Sequence, residues 1–90
     1  MYRVEWLDAA VDELAAIWVD ADSTLRKAIT EATRIVDSEL AQNPFAASES
    51  READTRVLFT YPLGVQFDVD QQGHRVRVLH VWRFRRRQGN

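Results

Sequence analysis

The chain has 90 residues and a formal net charge of −2, enough for a single domain that buries only about 60–65% of its unfolded surface and so has a thin stability margin. Hydrophobic residues make up 46% of it and charged residues 29%, as in an ordinary soluble globular protein. The lack of cysteine excludes a disulfide scaffold and thiol chemistry, and His74 and His80 have no metal-like spacing, so neither a metal nor a cofactor is expected.

No apolar run approaches the ~18–20 residues that span a bilayer. The start, Met1 to Trp6, lacks the apolar stretch of a signal peptide. A cytoplasmic protein without membrane contact is expected. The net charge hides an asymmetry. Up to Pro44 there are nine acidic and four basic residues; from Phe45 onward there are five acidic and eight basic, all eight arginine. An arginine-rich back half points to an acidic or phosphate-bearing partner rather than a small neutral metabolite.

In chain order, Tyr2, Val4 and Trp6 alternate with Arg3 and Glu5, which predicts a short strand with one buried face. Asp8 stands where an N-cap belongs. Val11, Leu14, Ile17, Trp18 and Ala21 recur at helical spacing, predicting a helix from Asp8 to about Ala21. Asp22-Ser23 interrupts and caps again. Leu25, Ala28, Ile29, Ala32, Ile35, Val36 and Leu40 form a second, longer stripe that Pro44 ends at about Gln42. So short a link makes the helices an antiparallel hairpin whose stripes need a sheet to cover.

Residues 45–54 read as a polar connection. A strand follows over Thr55–Tyr61, then a turn at Pro62 to Gly64, then a strand over Val65–Val69. Asp70 to Gly73 reads as a hairpin turn in which Gly73 takes a positive φ. The last strand runs from Arg75 to Phe84 or Arg85, with residues 85–90 as a tail. The fold class expected is α+β: an N-terminal strand, a helical hairpin and a three-stranded antiparallel meander, with both helices on one sheet face.

Placing the more apolar side of each strand on the helices puts Val57, Phe59, Tyr61, His80, Trp82 and Phe84 in the core. Arg56, Leu58, Thr60, Arg77, Val81, Arg83 and Arg85 then lie on the open face. An arginine-studded sheet surface suits phosphate, which guanidinium grips in a two-pronged fashion, or an acidic peptide. Arg56, Arg77, Arg83, Arg85, Arg86 and Arg87 are therefore the candidate target- or RNA-binding residues. The simpler role of such arginines is to keep a sheet face soluble, and His80 reads as a hydrogen-bonded core residue unless it reaches the open face.

The order strand, helix, helix, meander resembles the RelE/ParE superfamily of toxins from bacterial type II toxin–antitoxin systems. The resemblance is carried by Tyr2 to Trp6, Ala28 to Leu40, Asn43-Pro44, Ser50-Arg51, Thr55 to Leu58, Val65 to Val69, and Val78 to Arg83. The last of these is similar to the Val-x-His-x-x-Arg run that ends many ParE-like chains. The resemblance implies a toxin with a cognate antitoxin. RelE-like members cut messenger RNA on the ribosome, and ParE-like members poison DNA gyrase. It also implies Arg51, Arg56, His80 and Arg83 as the catalytic candidates. The sequence departs from the RNA-cleaving pattern: Gly64 stands near a family arginine position, and Phe84, Arg85 and Arg86 stand where a terminal Tyr or His belongs. Cations are present but no proton-transfer pair is visible. The sequence alone therefore favours a ParE-like binder of a macromolecular target. A ribosome-dependent endoribonuclease is the alternative, and an inactive antitoxin-binding module the next.

Overall fold

A computed structural model describes residues 1–46, 48–51 and 54–85. The elements are β1 (Arg3–Trp6), α1 (Asp8–Val19), α2 (Ser23–Gln42), β2 (Glu49–Ser50), β3 (Thr55–Thr60), β4 (Leu63–Asp70) and β5 (Arg75–Arg83). They form an α+β fold with one five-stranded sheet in the order β1-β5-β4-β3-β2. β1 runs parallel to β5, and every other pairing is antiparallel. The expected meander is therefore the centre of a wider sheet. Its borders are β1 and the two-residue β2, which lies within the stretch read as a polar connection.

Local chemistry explains the helix boundaries. Asp22 caps α2, its Oδ1 accepting the Leu25 N–H at 2.8 Å. α2 stops at Gln42, two residues before Pro44, as expected. α1 has no side-chain cap: Leu7 holds the cap position and Asp8 is already helical, where its charge meets the positive end of the helix dipole. Arg26 closes the other end of α1. Its Nε donates to the Trp18 carbonyl at 2.9 Å and its Nη2 to the Val19 carbonyl at 3.4 Å, while the guanidinium lies 5.4 Å from the Trp18 ring centre. The Trp18 carbonyl, which also accepts the Ala21 N–H at 3.1 Å, and the Val19 carbonyl thus find donors on α2.

The turns differ in detail from expectation. The β3–β4 turn is Tyr61-Pro62, and Gly64 lies inside β4. At the β4–β5 turn, His74 takes the positive φ, at 51°, and no glycine does. A Cβ at Gly73 would fall 2.5 Å from Asp70 Oδ2, the tip of an exposed side chain that can swing aside.

The faces of the sheet follow from register. Leu58 stands opposite Val65, and Val65 opposite Val81; Phe67 faces both Arg56 and Val78. Gln66 pairs with His80 while Phe67 pairs with Val78, so Leu79 is an extra residue in β5. Such a bulge reverses the alternation beyond it. Val76 and Val78 point at the helices before the bulge, and Val81 does so after it, each at most 3% exposed. One buried cluster joins Ala10 of α1, Ile29, Ala32, Val36 and Leu40 of α2, and Leu58, Leu63, Val65, Phe67, Val76, Val78 and Val81 of the sheet.

Two expectations about faces are thereby corrected. In β3, Leu58 is inside at 2% exposure and Phe59 outside at 46%. Arg56 and Thr60 share the phase of Leu58, while Val57 shares that of Phe59. In β5, His80 and Trp82 belong to the open face, and Val81 and Arg83 to the helix side. Leu58→Ala is expected to cost about 2–4 kcal/mol, as for a fully buried leucine. Phe59→Ala, which removes two edge-on ring contacts of a half-exposed side chain, is expected to cost less, about 1–2 kcal/mol. Urea unfolding of both variants checks this, and equal losses would contradict the phase of β3.

Candidate functional site

The helices cover one side of the sheet and leave the other to solvent. The open face has two ends of different chemistry. At one end the basic Arg3, Arg75 and Arg77 are interspersed with the acidic Glu5, Asp68 and Asp70 across β1, β5 and β4. Arg77 grips Asp68 with both prongs, Nε to Oδ1 at 3.0 Å and Nη2 to Oδ2 at 2.7 Å. These hydrogen bonds, and then the charge of Asp68, push the Arg77 guanidinium above its ordinary value. A phosphate would have to displace a carboxylate already seated there.

The other end is aromatic. Trp82 lies flat across Gly64, where an added Cβ would collide with the indole. Phe59 meets Trp82 edge-on at 6.0 Å and Phe84 edge-on at 5.4 Å, and Phe84 meets Tyr61 at 5.7 Å. Between these rings and Arg51 lies a shallow hollow of about 350 Å³, walled by Phe59, Trp82 and Thr55, floored by Val57 and served by the Gln66 amide. Arg51 is loosely held, its Nη1 at 3.6 Å from Glu49 and 3.4 Å from the Ser50 carbonyl. A flat apolar slot with one amide and one available guanidinium is equipped to hold a heteroaromatic ring beside an anion.

His80 is not part of that lining but is the cross-strand neighbour of Gln66, with 54% of its side chain exposed. Its Nδ1 lies 3.3 Å from each carboxylate oxygen of Glu13 on α1. Glu13 Oε1 also accepts the Val81 N–H at 3.0 Å. That N–H is on the stretch of β5 beyond the last β1 pair, Trp6 with Val78, so the carboxylate serves a backbone donor that β1 does not reach.

The remaining candidates are dispersed. Arg56 lies on the helix side, where its Nε donates to Ser48 Oγ at 2.7 Å and its Nη2 to the Ser48 carbonyl at 3.0 Å; the guanidinium sits 5.1 Å from the Phe45 ring centre. It ties the connection after α2 to the sheet. Arg83, also on the helix side, lines a depression with Asp20, Asp22 and Tyr61 near the helical turn. Arg85 is exposed just past β5. Arg86 and Arg87 lie outside the described residues. Of the arginines expected on the open face, Arg77 lies there, engaged by Asp68, while Arg56 and Arg83 are on the helix side; at the aromatic end Arg51 accompanies Gln66, Phe59 and Trp82. Sequence reading missed Phe59, Trp82, Gln66 and Glu13 as site residues. No local signal marked them: Val78, Leu79 and Val81 are all apolar, so the broken alternation of β5 shows only in its pairing with β4.

A second feature lies on the helices. Val11, Leu14, Ala15 and Trp18 of α1 and Ile29, Thr30 and Thr33 of α2 line an apolar groove of about 620 Å³, with Arg34 and Asp37 at its rim. Val11 is 48% exposed and Trp18 39%. Among the described residues no cluster of three or more His, Cys, Asp or Glu is arranged to hold a metal. No described helix is long and apolar enough to cross a membrane.

No protein-family model matches the chain, and no curated protein matches it. Solved structures do. A chain of the toxin–antitoxin complex RelBE2 from Mycobacterium tuberculosis superposes with a TM-score of 0.73 at 16% identity, covering 92% of this chain and 91% of that one. A chain of the chromosomal ParDE system of P. aeruginosa gives 0.71 at 24% identity, covering 94% and 98%. The isolated E. coli RelE toxin gives 0.65 at 18% identity, covering 98% and 89%. The chain therefore has the RelE/ParE-type fold over nearly its whole length.

Arg56→Ala removes a cation–π contact and two hydrogen bonds that anchor the connection, and is expected to lower stability by about 1–2 kcal/mol. A thermal melt should fall by roughly 4–15 °C in a domain of this size. An unchanged melt would return Arg56 to the list of residues free for a ligand.

Proposed function

We propose that this chain is the toxin of a type II toxin–antitoxin system, neutralised by a cognate antitoxin, and that it acts on RNA through the open face of its sheet. The fold supports the first part. The second rests on one observation: an exposed imidazole, His80, is the cross-strand neighbour of Gln66, whose amide serves an aromatic hollow bordered by the Arg51 guanidinium. Single-stranded RNA is held by stacking its bases on aromatic rings and hydrogen-bonding their edges. Trp82 and Phe59 are placed for the stacking, Gln66 for a base edge and Arg51 for a phosphate. Strand cleavage needs a group that takes the 2′-hydroxyl proton and a cation near the phosphorus. His80 and Arg51 answer to these, where the sequence alone offered no proton-transfer pair and left His80 dependent on reaching the open face. A single cation in the hollow supplies little affinity for free RNA, in keeping with a ribosome that presents the message.

The second reading, a ParE-like binder of a macromolecular target such as DNA gyrase, is favoured by the dispersal of the arginines. Arg56 and Arg77 are engaged, and Arg83 faces the helices. In either reading the apolar groove between α1 and α2 is the antitoxin's seat. It matches an amphipathic helix, whose apolar stripe would fill it while polar flanks meet Arg34 and Asp37.

Two measurements test these assignments. RNA 5′ ends mapped in bacteria within minutes of induction should show new ends in phase with codons, lost with Arg51→Ala. Growth arrest without new ends would favour the gyrase-type reading, and unimpaired growth at high expression would remove the toxin reading. Val11→Glu, which puts a charge in the groove, should weaken capture by the antitoxin at least 100-fold in a titration and leave toxicity intact. Unchanged capture would place the antitoxin elsewhere.

A further inference from the structure

We infer that Glu13 of α1 is a positioning residue that holds His80 in the tautomer and orientation needed to accept a proton from RNA. The inference rests on the RNA-cleaving reading above and assigns a role to a residue on a different element from the rest of the site.

Three features of the structure converge on it. The first is the register shift. Because Leu79 is an extra residue in β5, the side chain after it is turned from the helix side to the open face; bulges are a recurrent means of re-aiming one side chain beside a site. The second is the way the carboxylate is held. Glu13 Oε1 accepts the Val81 N–H at 3.0 Å, so the group that orients the ring is itself anchored to the sheet backbone. The third is the division of labour on the imidazole. Its Nδ1 lies 3.3 Å from both Glu13 oxygens. An ionised carboxylate can only accept, so Nδ1 carries the hydrogen and Nε2 presents its lone pair. Among the described residues Nε2 has no hydrogen-bond partner. An oriented imidazole with one nitrogen committed to a carboxylate and the other open is the working arrangement of a general base. Contacts of this length tighten when substrate closes over them.

The step balances with the groups present and water. The 2′-hydroxyl proton passes to His80 Nε2. The 2′-oxygen bonds to the adjacent phosphorus, and the bond from phosphorus to the 5′-oxygen breaks. That oxygen takes a proton from water, and the imidazolium returns its own to solvent. The products are a 2′,3′-cyclic phosphate and a 5′-hydroxyl end. Glu13 meanwhile faces the ring whose charge rises and falls, and stabilises it when positive.

The test is single-turnover cleavage of a defined messenger RNA on programmed ribosomes by the full chain. His80→Ala should slow cleavage by about 10²–10⁴-fold with little change in the toxin concentration that half-saturates the ribosomes. Added imidazole should restore part of the rate. Glu13→Gln keeps an acceptor for the Val81 N–H and should slow the wild-type rate at least tenfold, yet leave His80→Ala unchanged, since residues that act as a unit are not additive. Cleavage that His80→Ala does not slow, or a Glu13→Gln effect that persists without His80, would overturn the inference and leave the ribonuclease reading standing. A Glu13→Gln protein whose loss of rate follows a lowered melt would make the residue structural and overturn it as well. No cleavage by the wild-type chain at all would remove the ribonuclease reading and the inference with it.

Discussion

One extra residue in β5 governs how this molecule presents itself. Val76, Val78 and Val81 all fill the same buried cluster, and a strictly alternating strand cannot place all three on one side. Leu79 absorbs the difference by standing unpaired between two registers. The core gains Val81, and His80 and Trp82 are turned to the other face. Core packing and the chemistry of the open face are therefore set by one local irregularity. A β5 without it would bury an imidazole and an indole and expose a valine.

The helices add a second constraint. β1 stops at Trp6, and α1 begins two residues later and lies against β5. That lets a carboxylate on α1 reach both the backbone and a side chain of β5 near its far end. Trp6 is fixed in its turn, its Nε1 donating to Asp37 of α2 at 2.8 Å. Strand, hairpin and sheet are tied by a few side-chain contacts between residues far apart in sequence, on top of the shared apolar core.

Most of the elements were legible in the sequence, because each amphipathic stripe repeats at its own period and Asp22 and Pro44 mark helix ends. The faces were less so. β3 reads Thr-Arg-Val-Leu-Phe-Thr, apolar on both sides, so alternation does not decide between Leu58 and Phe59. Burial does, and burial depends on partners outside the segment. The bulge was illegible for the same reason: Leu79 looks like any other strand residue until Val81 has to meet Val65. Arg56 looked free because Ser48 and Phe45, its partners, lie in a stretch without periodicity. The pairing of His80 with Glu13 spans 67 positions, a separation at which no local pattern speaks. β2 is two residues long, too short for any alternation to register.

The borders of the sheet have a consequence for solution behaviour. On one side β1, and beyond it α1 with the Glu13 carboxylate, occupy the outer edge of β5. On the other, β2 covers the first part of β3 with charged Glu49 and Arg51 at hand, so that among the described residues Leu58 to Thr60 of β3 lie beyond its pairing. Stacking of sheets into fibres needs a long, flat row of free amides and carbonyls on which the next copy can template. The border strands are short, four residues in β1 and two in β2, so neither offers a long one. A chain that exposes Phe59 and Trp82 on its open face is thereby hindered from extending its sheet edge to edge into a continuous ribbon that would stack those aromatics from copy to copy.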